Sequence, residues 1–128
     1  MILVDTSVIV DYLRTADPKL DRLFRALPVA ICGITRAEIL NGVRSPADRA
    51  RTLTILNGFA PVAIQEPMWD SVGDNVRALR LGGVNIPFSD AVIATVAITN
   101  NFELWTRDTH FALIRGVLPA LRLFVEPP

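Results

Sequence analysis

Short apolar runs alternate along the chain with longer segments in which apolar residues recur every three or four positions. The first pattern is typical of buried strands and the second of helices with one apolar face. Strands are predicted at 2–4, 28–32, 61–64, 102–106 and 121–125. Helices are predicted at about 7–14, 18–26, 35–43, 46–58, 67–81, 89–99 and 109–115. Because strands and helices alternate, we predict an α/β fold with a mostly parallel sheet of about five strands and helices on both faces.

The composition fits one soluble globular domain that spans residues 1–128. Hydrophobic residues make up 51% of the chain, and thirteen basic side chains balance thirteen acidic ones. This balance gives no sign of a nucleic-acid binder, so any basic surface must be local. The single Cys32 excludes an internal disulfide and fits a reducing compartment.

Nothing in the sequence predicts a membrane segment. Asp5 and Asp11 interrupt the apolar N-terminus, which lacks the basic region of a signal peptide. The apolar stretch at 91–98 is far shorter than the roughly 20 residues that a spanning helix needs. We therefore expect a cytoplasmic protein that does not enter a membrane.

Four acidic residues are predicted at one edge of the sheet. They are Asp5 after the first strand, Glu38 one turn into the helix after the second strand, Asp90 at a helix start and Asp108 after the fourth strand. Ligand sites in open parallel sheets lie beyond the carboxyl ends of the strands. The helix that Asp90 begins travels roughly 15 Å away from that edge, and the strand before Asp108 returns by roughly 16 Å. We therefore expect the four carboxylates to converge.

Each acid also has a local explanation. Asp5 is able to cap the next helix, and the segment 35–38 has the form of a capping box with Glu38 at the third helical position. Asp90 would complement a helix dipole, and Asp108 would serve as an N-cap. Taken one at a time, Glu38 and Asp90 are better explained in this way, but four acids at one sheet edge favour a shared site.

Such a site needs a counter-charge. Two carboxylates about 6 Å apart, at an effective dielectric constant near 20, repel each other by roughly 2.8 kcal/mol. Several of them cannot stay ionised together without protons or cations. Oxygen ligands without cysteine or paired histidines select hard ions, so we predict Mg²⁺ or Mn²⁺. An ion of this kind activates a water molecule and neutralises charge on a phosphoryl group.

The same acids lie in four sequence blocks that resemble a known family. The blocks are VDTS at 4–7, GITRAEILNG at 33–42, SDAVIA at 89–94 and TRDTHF at 106–111. In their order, and over nearly the whole chain, they are similar to the PIN-domain ribonucleases, and within these to the VapC toxins of type II toxin–antitoxin pairs.

The resemblance implies a toxic endoribonuclease in which Asp5, Glu38, Asp90 and Asp108 hold Mg²⁺ or Mn²⁺. A metal-activated water would attack the RNA phosphodiester and leave a 5′-phosphate and a 3′-hydroxyl. The resemblance also implies a homodimer that is inhibited by a cognate VapB-like antitoxin. Promoter DNA would be bound only indirectly, through the antitoxin. Many relatives have a further acid at the position of His110, so the resemblance leaves a second metal site open. Packing or a place at the helix start is the expected role of His110; the alternatives are a hydrogen bond to substrate or to a metal-bound water, or a ligand role.

Four further residues are candidates for supporting roles. Ser7 and Thr106 carry hydroxyls that would orient Asp5, Asp108 or a metal-bound water. The alternative interpretation is that Ser7 is only a hydroxyl at a helix start and Thr106 only a β-branched strand residue. Arg36 and Arg107 flank two of the acids and have the fork geometry that suits RNA phosphate. Otherwise each arginine pairs with a neighbouring carboxylate or points to solvent.

Two other function classes remain to be weighed. Aspartyl-phosphate proteins, which include receiver domains and haloacid-dehalogenase-like phosphatases, also cluster acids at strand ends. Such a phosphatase needs a second acid two residues after the first, where this chain has Ser7. A receiver domain needs a lysine in its last strands, but the only lysine here is Lys19. The second alternative is a non-catalytic PIN-like module that binds RNA or a protein partner. The presence of all four acids favours the enzyme.

Overall fold

The chain alternates between strands and helices in the computed structural model, which describes all residues 1–128. The strands are β1 (Ile2–Val4), β2 (Val29–Cys32), β3 (Ala60–Val62), β4 (Glu103–Trp105) and β5 (Arg122–Leu123). The helices are α1 (Thr6–Thr15), α2 (Pro18–Ala26), α3 (Gly33–Asn41), α4 (Pro46–Leu56), α5 (Met68–Leu81), α6 (Phe88–Thr99) and α7 (His110–Val117).

The five strands form one sheet in the order β3-β2-β1-β4-β5, and every neighbouring pair is parallel. Leu3 at the centre of the sheet is in register with Ala30 on one side and with Leu104 on the other. The chain builds outward from β1 to β3 and then returns to the opposite side of β1 to add β4 and β5. This reversal creates a topological switch point between β1 and β4, where ligand sites form in open α/β sheets. The predicted α/β fold is confirmed.

Apolar residues cover both faces of the sheet. On one face, Leu3 packs in a cluster of 16 buried residues drawn largely from α5, α6 and α7. On the other face, Ile2 and Val4 pack in a cluster of 11 buried residues that α1, α2 and α4 share. Because alternate strand residues point to opposite faces, strands buried on both sides read as unbroken apolar runs.

Helix α6 lies deep in the molecule and carries one of the four acids in its first turn. It contacts α3, α5, α7 and β4, and all seven residues from Ala91 to Ala97 are buried. A helix that is apolar all round is stable only when neighbours surround it. This packing holds the start of α6, and therefore Asp90, against the carboxyl edge of the sheet.

Most predicted elements differ from the observed ones by one or two residues at an end, and α3 and β5 are the cases with a physical reason or a clear shortening. Helix α3 begins at Gly33, directly after β2, so Thr35 is buried inside the first turn with its hydroxyl 3.7 Å from the Cys32 sulfur. The capping box predicted for 35–38 is therefore absent, and Glu38 is free for another role. The last strand covers only Arg122 and Leu123 of the predicted 121–125, and it pairs with β4 at the sheet edge.

None of the helices combines the length and the apolar character that crossing a membrane requires.

Candidate active site

The four predicted acids line one cavity of about 340 Å³ at the carboxyl edge of the sheet. Asp5 directly follows β1, Glu38 lies in the second turn of α3, Asp90 in the first turn of α6 and Asp108 in the loop between β4 and α7. The remaining lining residues are Thr6, Ser7, Val10, Pro87, Ser89, Ile93 and His110. The fold thus brings together carboxylates that are up to about a hundred residues apart in the sequence.

Asp5 is the most buried of these acids, with only 3% of its surface exposed. The Ser7 hydroxyl donates to one carboxylate oxygen at 2.6 Å, and the Thr106 hydroxyl donates to the other at 2.5 Å. The backbone N–H of Val8 adds a longer bond of 3.3 Å, so Asp5 also caps α1. Burial raises the pKa of Asp5, and these hydrogen bonds oppose the rise because they favour the charged form.

The same two hydroxyls connect β1 to the loop after β4. Thr106 Oγ1 accepts from the backbone N–H of Asp108 at 3.0 Å, and Ser7 Oγ accepts from the backbone N–H of Arg107 at 3.0 Å. Ser7 and Thr106 therefore orient Asp5 directly and hold the Asp108 loop in place. Fixed orientation of a carboxylate by its hydrogen-bond partners is what a metal or substrate site requires.

Glu38 is held by a residue that the sequence argument missed. The Thr6 hydroxyl donates to Glu38 Oε1 at 3.0 Å, which joins the start of α1 to α3 across 32 positions of sequence. The only local signal for Thr6 was its place between Asp5 and Ser7. Because its partner lies in another element, that signal alone did not identify its role.

Asp90 is the electrostatic centre of the cavity. Partial burial, followed by the negative charges of Asp108, Asp5 and Glu38, raises its pKa to about 6, and only His110 opposes the shift. Its side chain is 15% exposed, so solvent screens this repulsion incompletely. The charges of the other three carboxylates therefore reach Asp90 and, together with its burial, disfavour the ionised form of this one side chain.

Asp108 and His110 form a close pair beside Asp90. The backbone N–H of His110 donates to Asp108 Oδ1 at 2.9 Å, and the ring nitrogen Nδ1 lies 3.4 Å from the same oxygen. Nδ1 is also 3.9 Å from Asp90 Oδ2. Of the two expected roles, the structure shows the place at the helix start, since His110 begins α7; its ring is 51% exposed and lies beside the acids.

The two arginines predicted to bind RNA phosphate do not line the cavity. Arg107 makes a bidentate contact with Glu126 at 2.9 and 2.8 Å and a third bond to Asp11 at 3.1 Å. These bonds, above all those to Glu126, raise the pKa of Arg107. Arg36 donates to Asn57 at 2.8 Å and lines a different groove. Both guanidinium groups are directed elsewhere by partners far away in sequence.

Glu126 anchors the C-terminal segment to the Asp108 loop. Besides Arg107, its carboxylate accepts from Trp105 Nε1 at 3.0 Å and lies 3.7 Å from the Lys19 ammonium. The hydrogen bonds from Arg107, followed by the smaller contributions of Trp105 and the basic charges, lower the pKa of Glu126 to about 2. A lowered folded-state pKa stabilises the fold above the ordinary pKa of 4.5, and this stability is lost as the pH falls towards 2.

We expect Glu126→Gln to destabilise the protein by about 1–2 kcal/mol at pH 7, a figure reduced from the full shift because the pair is partly solvated. Urea unfolding at pH 7 and at pH 3 measures the effect. The difference between variant and wild type should shrink at pH 3, because Glu126 is then mostly protonated in the unfolded chain. Glu66→Gln is the matched control, since Glu66 is exposed and its side chain has no partner. An equal loss at both pH values would contradict the assignment.

Comparison with known proteins agrees with this arrangement. The family model of the PIN domain matches residues 2–117. VapC10, a ribonuclease of Mycobacterium tuberculosis, is 30% identical over 93% of this chain and 92% of its own length. VapC1, a ribonuclease of Methanocaldococcus jannaschii, is 34% identical over 89% of this chain and 81% of its own length. A chain from the toxin–antitoxin complex of Klebsiella pneumoniae is 27% identical, with a TM-score of 0.68 over 96% of this chain and 100% of that chain. The chain therefore belongs to the PIN-domain family and, within it, to the VapC ribonucleases.

Proposed function

We propose that this chain is the toxin of a toxin–antitoxin pair and hydrolyses RNA phosphodiester bonds with the help of Mg²⁺ or Mn²⁺. The observation that carries the proposal is the convergence of Asp5, Glu38, Asp90 and Asp108 on one cavity in a member of the VapC group. A non-catalytic RNA- or partner-binding module would have no need for four mutually repelling carboxylates.

The residues of the cavity fit a hard divalent cation. Carboxylate oxygens are the ligands that Mg²⁺ and Mn²⁺ prefer, and Asp5, Glu38, Asp90 and Asp108 supply them. The raised pKa of Asp90 supports the assignment, because a bound cation would stabilise the charged carboxylate that burial and the neighbouring acids disfavour. No cysteine lines the cavity, which disfavours a thiolate-bound metal such as structural zinc.

The protein's own part in the reaction is to position charge. Asp5 is fixed by two hydroxyl donors, and Thr106 also fixes the backbone of Asp108, so the Asp5 carboxylate is oriented and the Asp108 loop is in place before any ligand arrives. A bound divalent ion would supply a more acidic water and neutralise charge on the phosphodiester. Asp90 must be ionised to hold the ion, so protons compete with the cation for this carboxylate, and metal binding should weaken as the pH falls below about 6.

We further propose that a VapB-like antitoxin binds the chain and inhibits it. Support comes from the 27% identical chain, whose structure is that of a toxin–antitoxin complex. Promoter DNA would then be contacted through the antitoxin alone. A homodimer, which the family resemblance implies, and the cytoplasmic location expected from the sequence complete the proposal.

Incubation of the purified chain with pooled transfer, ribosomal and messenger RNA in Mg²⁺ or Mn²⁺ tests the proposed activity. We expect discrete fragments that carry 5′-phosphate ends, which ligation-based end mapping detects. Asp5→Asn, purified in the same way, controls for contaminating nucleases because it removes one of the proposed ligands. The proposal fails if the wild-type chain cuts none of these RNAs, or if the variant cuts them equally well.

A further inference from the structure

Three side chains at one end of the cavity form a compact group, here called the Asp–Asp–His cluster. One carboxylate oxygen of Asp90, one of Asp108 and one ring nitrogen of His110 all lie within 4.8 Å of one another. Asp5 and Glu38 lie elsewhere on the cavity wall, each held by hydroxyl donors. The cluster therefore differs from the rest of the site, because it contains nitrogen as well as oxygen.

The backbone places the His110 ring at the acids. His110 is the first residue of α7, and its N–H bonds to Asp108 Oδ1, which brings Nδ1 to 3.4 Å from that oxygen. The ring is half exposed, so apolar packing does not explain its orientation. The backbone bond is also the only hydrogen bond that His110 makes to a side chain. The imidazole is thus available to an incoming ligand.

The dimensions of the cluster fit a single ion. Ligands about 2.0–2.1 Å from a small divalent ion lie at most roughly 4.2 Å from one another. The three ligand atoms of the cluster lie no more than 4.8 Å apart. A side-chain movement of less than about 1 Å therefore brings them within about 4.2 Å of one another, the largest separation that one ion allows. The exposed ring of His110 is free to make this adjustment.

We propose that His110 Nδ1 is a direct ligand of the divalent ion that Asp90 and Asp108 bind. This inference rests on the proposed function, since it concerns the same ion. Imidazole nitrogen binds transition ions more strongly than Mg²⁺, which prefers an all-oxygen shell. Because His110 is uncharged when it binds metal, it adds a ligand without adding to the repulsion among the acids. The cluster should therefore favour Mn²⁺ and Co²⁺ over Mg²⁺ more strongly than carboxylates alone would.

Pulsed electron paramagnetic resonance of the Mn²⁺-loaded full-length chain tests the ligand directly. His110 is the only histidine in the sequence, so any imidazole ¹⁴N coupling to Mn²⁺ in the untagged protein is assigned to it. We expect this coupling in the wild type and its absence in His110→Ala. Circular dichroism verifies that the variant is folded, which the exposure of the ring favours.

Calorimetric titration gives an independent measurement of ion preference. We expect His110→Ala to weaken Mn²⁺ and Co²⁺ binding roughly tenfold and Mg²⁺ binding less than about threefold. Mn²⁺ binding without nitrogen coupling, or an equal loss for all three ions, would overturn the inference and leave the proposed ribonuclease intact. Failure of the wild-type chain to bind Mn²⁺ at all would contradict both proposals.

Discussion

Replacing Asp90 with asparagine is expected to abolish RNA cleavage while making the metal-free protein more stable. Cleavage should fall by about 10³-fold or more, because the variant loses a charged ligand at the centre of the cavity. Asparagine has nearly the same shape as aspartate, so the buried helix behind it should pack unchanged. Opposite effects on activity and stability are typical of a residue that is kept for function at a cost to the fold.

The sign of the stability effect follows from the pKa of Asp90. Partial burial and the charges of Asp108, Asp5 and Glu38 raise it from 3.8 to about 6 in the folded protein. A raised pKa means that stability is fully present below the unfolded value and is lost as the pH rises through about 6. The shift corresponds to about 3 kcal/mol at most, and partial solvation reduces this to about 1–2 kcal/mol. Asparagine removes the ionisation and therefore its cost.

Urea unfolding of EDTA-treated protein at pH 7.5 and pH 4 measures this effect. Asp90→Asn should be more stable than the wild type by about 1–2 kcal/mol at pH 7.5 and nearly equal to it at pH 4. Asp74→Asn is the matched control, because Asp74 is exposed on α5 and has no side-chain partner. A variant that cleaves RNA normally, or one that is destabilised at pH 7.5, would show that Asp90 has a merely structural role.

Excess EDTA is expected to reduce RNA cleavage to background, and added Mg²⁺ or Mn²⁺ should restore it. The reason is the charge of the cavity itself. Four carboxylates line it, and none of its lining residues is lysine or arginine. Arg36 and Arg107 are bonded to other partners outside the cavity. A phosphodiester is itself anionic, so without a cation the cavity repels its substrate as well as lacking an activated water.

Cleavage of a single RNA substrate with and without chelator measures this dependence. EDTA that has been saturated with Mg²⁺ beforehand is the control, since it tests effects of the chelator other than ion removal. Cleavage that continues undiminished in excess EDTA would refute the metal-dependent mechanism. It would also leave the clustering of the four acids without an explanation.

Local signals in the sequence predicted the helices and strands well where they were strong. The predicted helix at 18–26 matches α2, because Asp17 caps its first turn and Pro18 begins it. Local signals failed where tertiary packing decides the boundary. Thr35 resembles an N-cap in the sequence, yet it is buried inside α3 because the helix follows β2 without a loop.

The convergence of the acids was predictable in outline. Parallel strands joined by helices place strand ends at one edge, so Asp5 and Asp108 had to leave the sheet on the same side. The strand order then places β4 beside β1, and this order is a property of the whole fold. Ser7 and Thr106 were predicted as partners of Asp5 or Asp108, but the Thr6 hydroxyl that holds Glu38 was not predicted.

The alternation of apolar and polar positions was sufficient to determine the α/β class, the parallel sheet and the edge at which the acids lie, because these depend on short-range periodicity and general rules of chain connection. Only the tertiary structure decided that the Thr6 hydroxyl bonds to Glu38. It also decided that Arg107 bonds to Glu126 outside the cavity. The position of the His110 ring beside the acids is the third such feature. The bonds of Thr6 and Arg107 join side chains 32 and 19 positions apart. The orientation of His110 depends on where α7 starts. The hydrogen-bond partner of a flexible side chain depends on which groups lie near it in the folded protein, and a local sequence pattern does not contain that information.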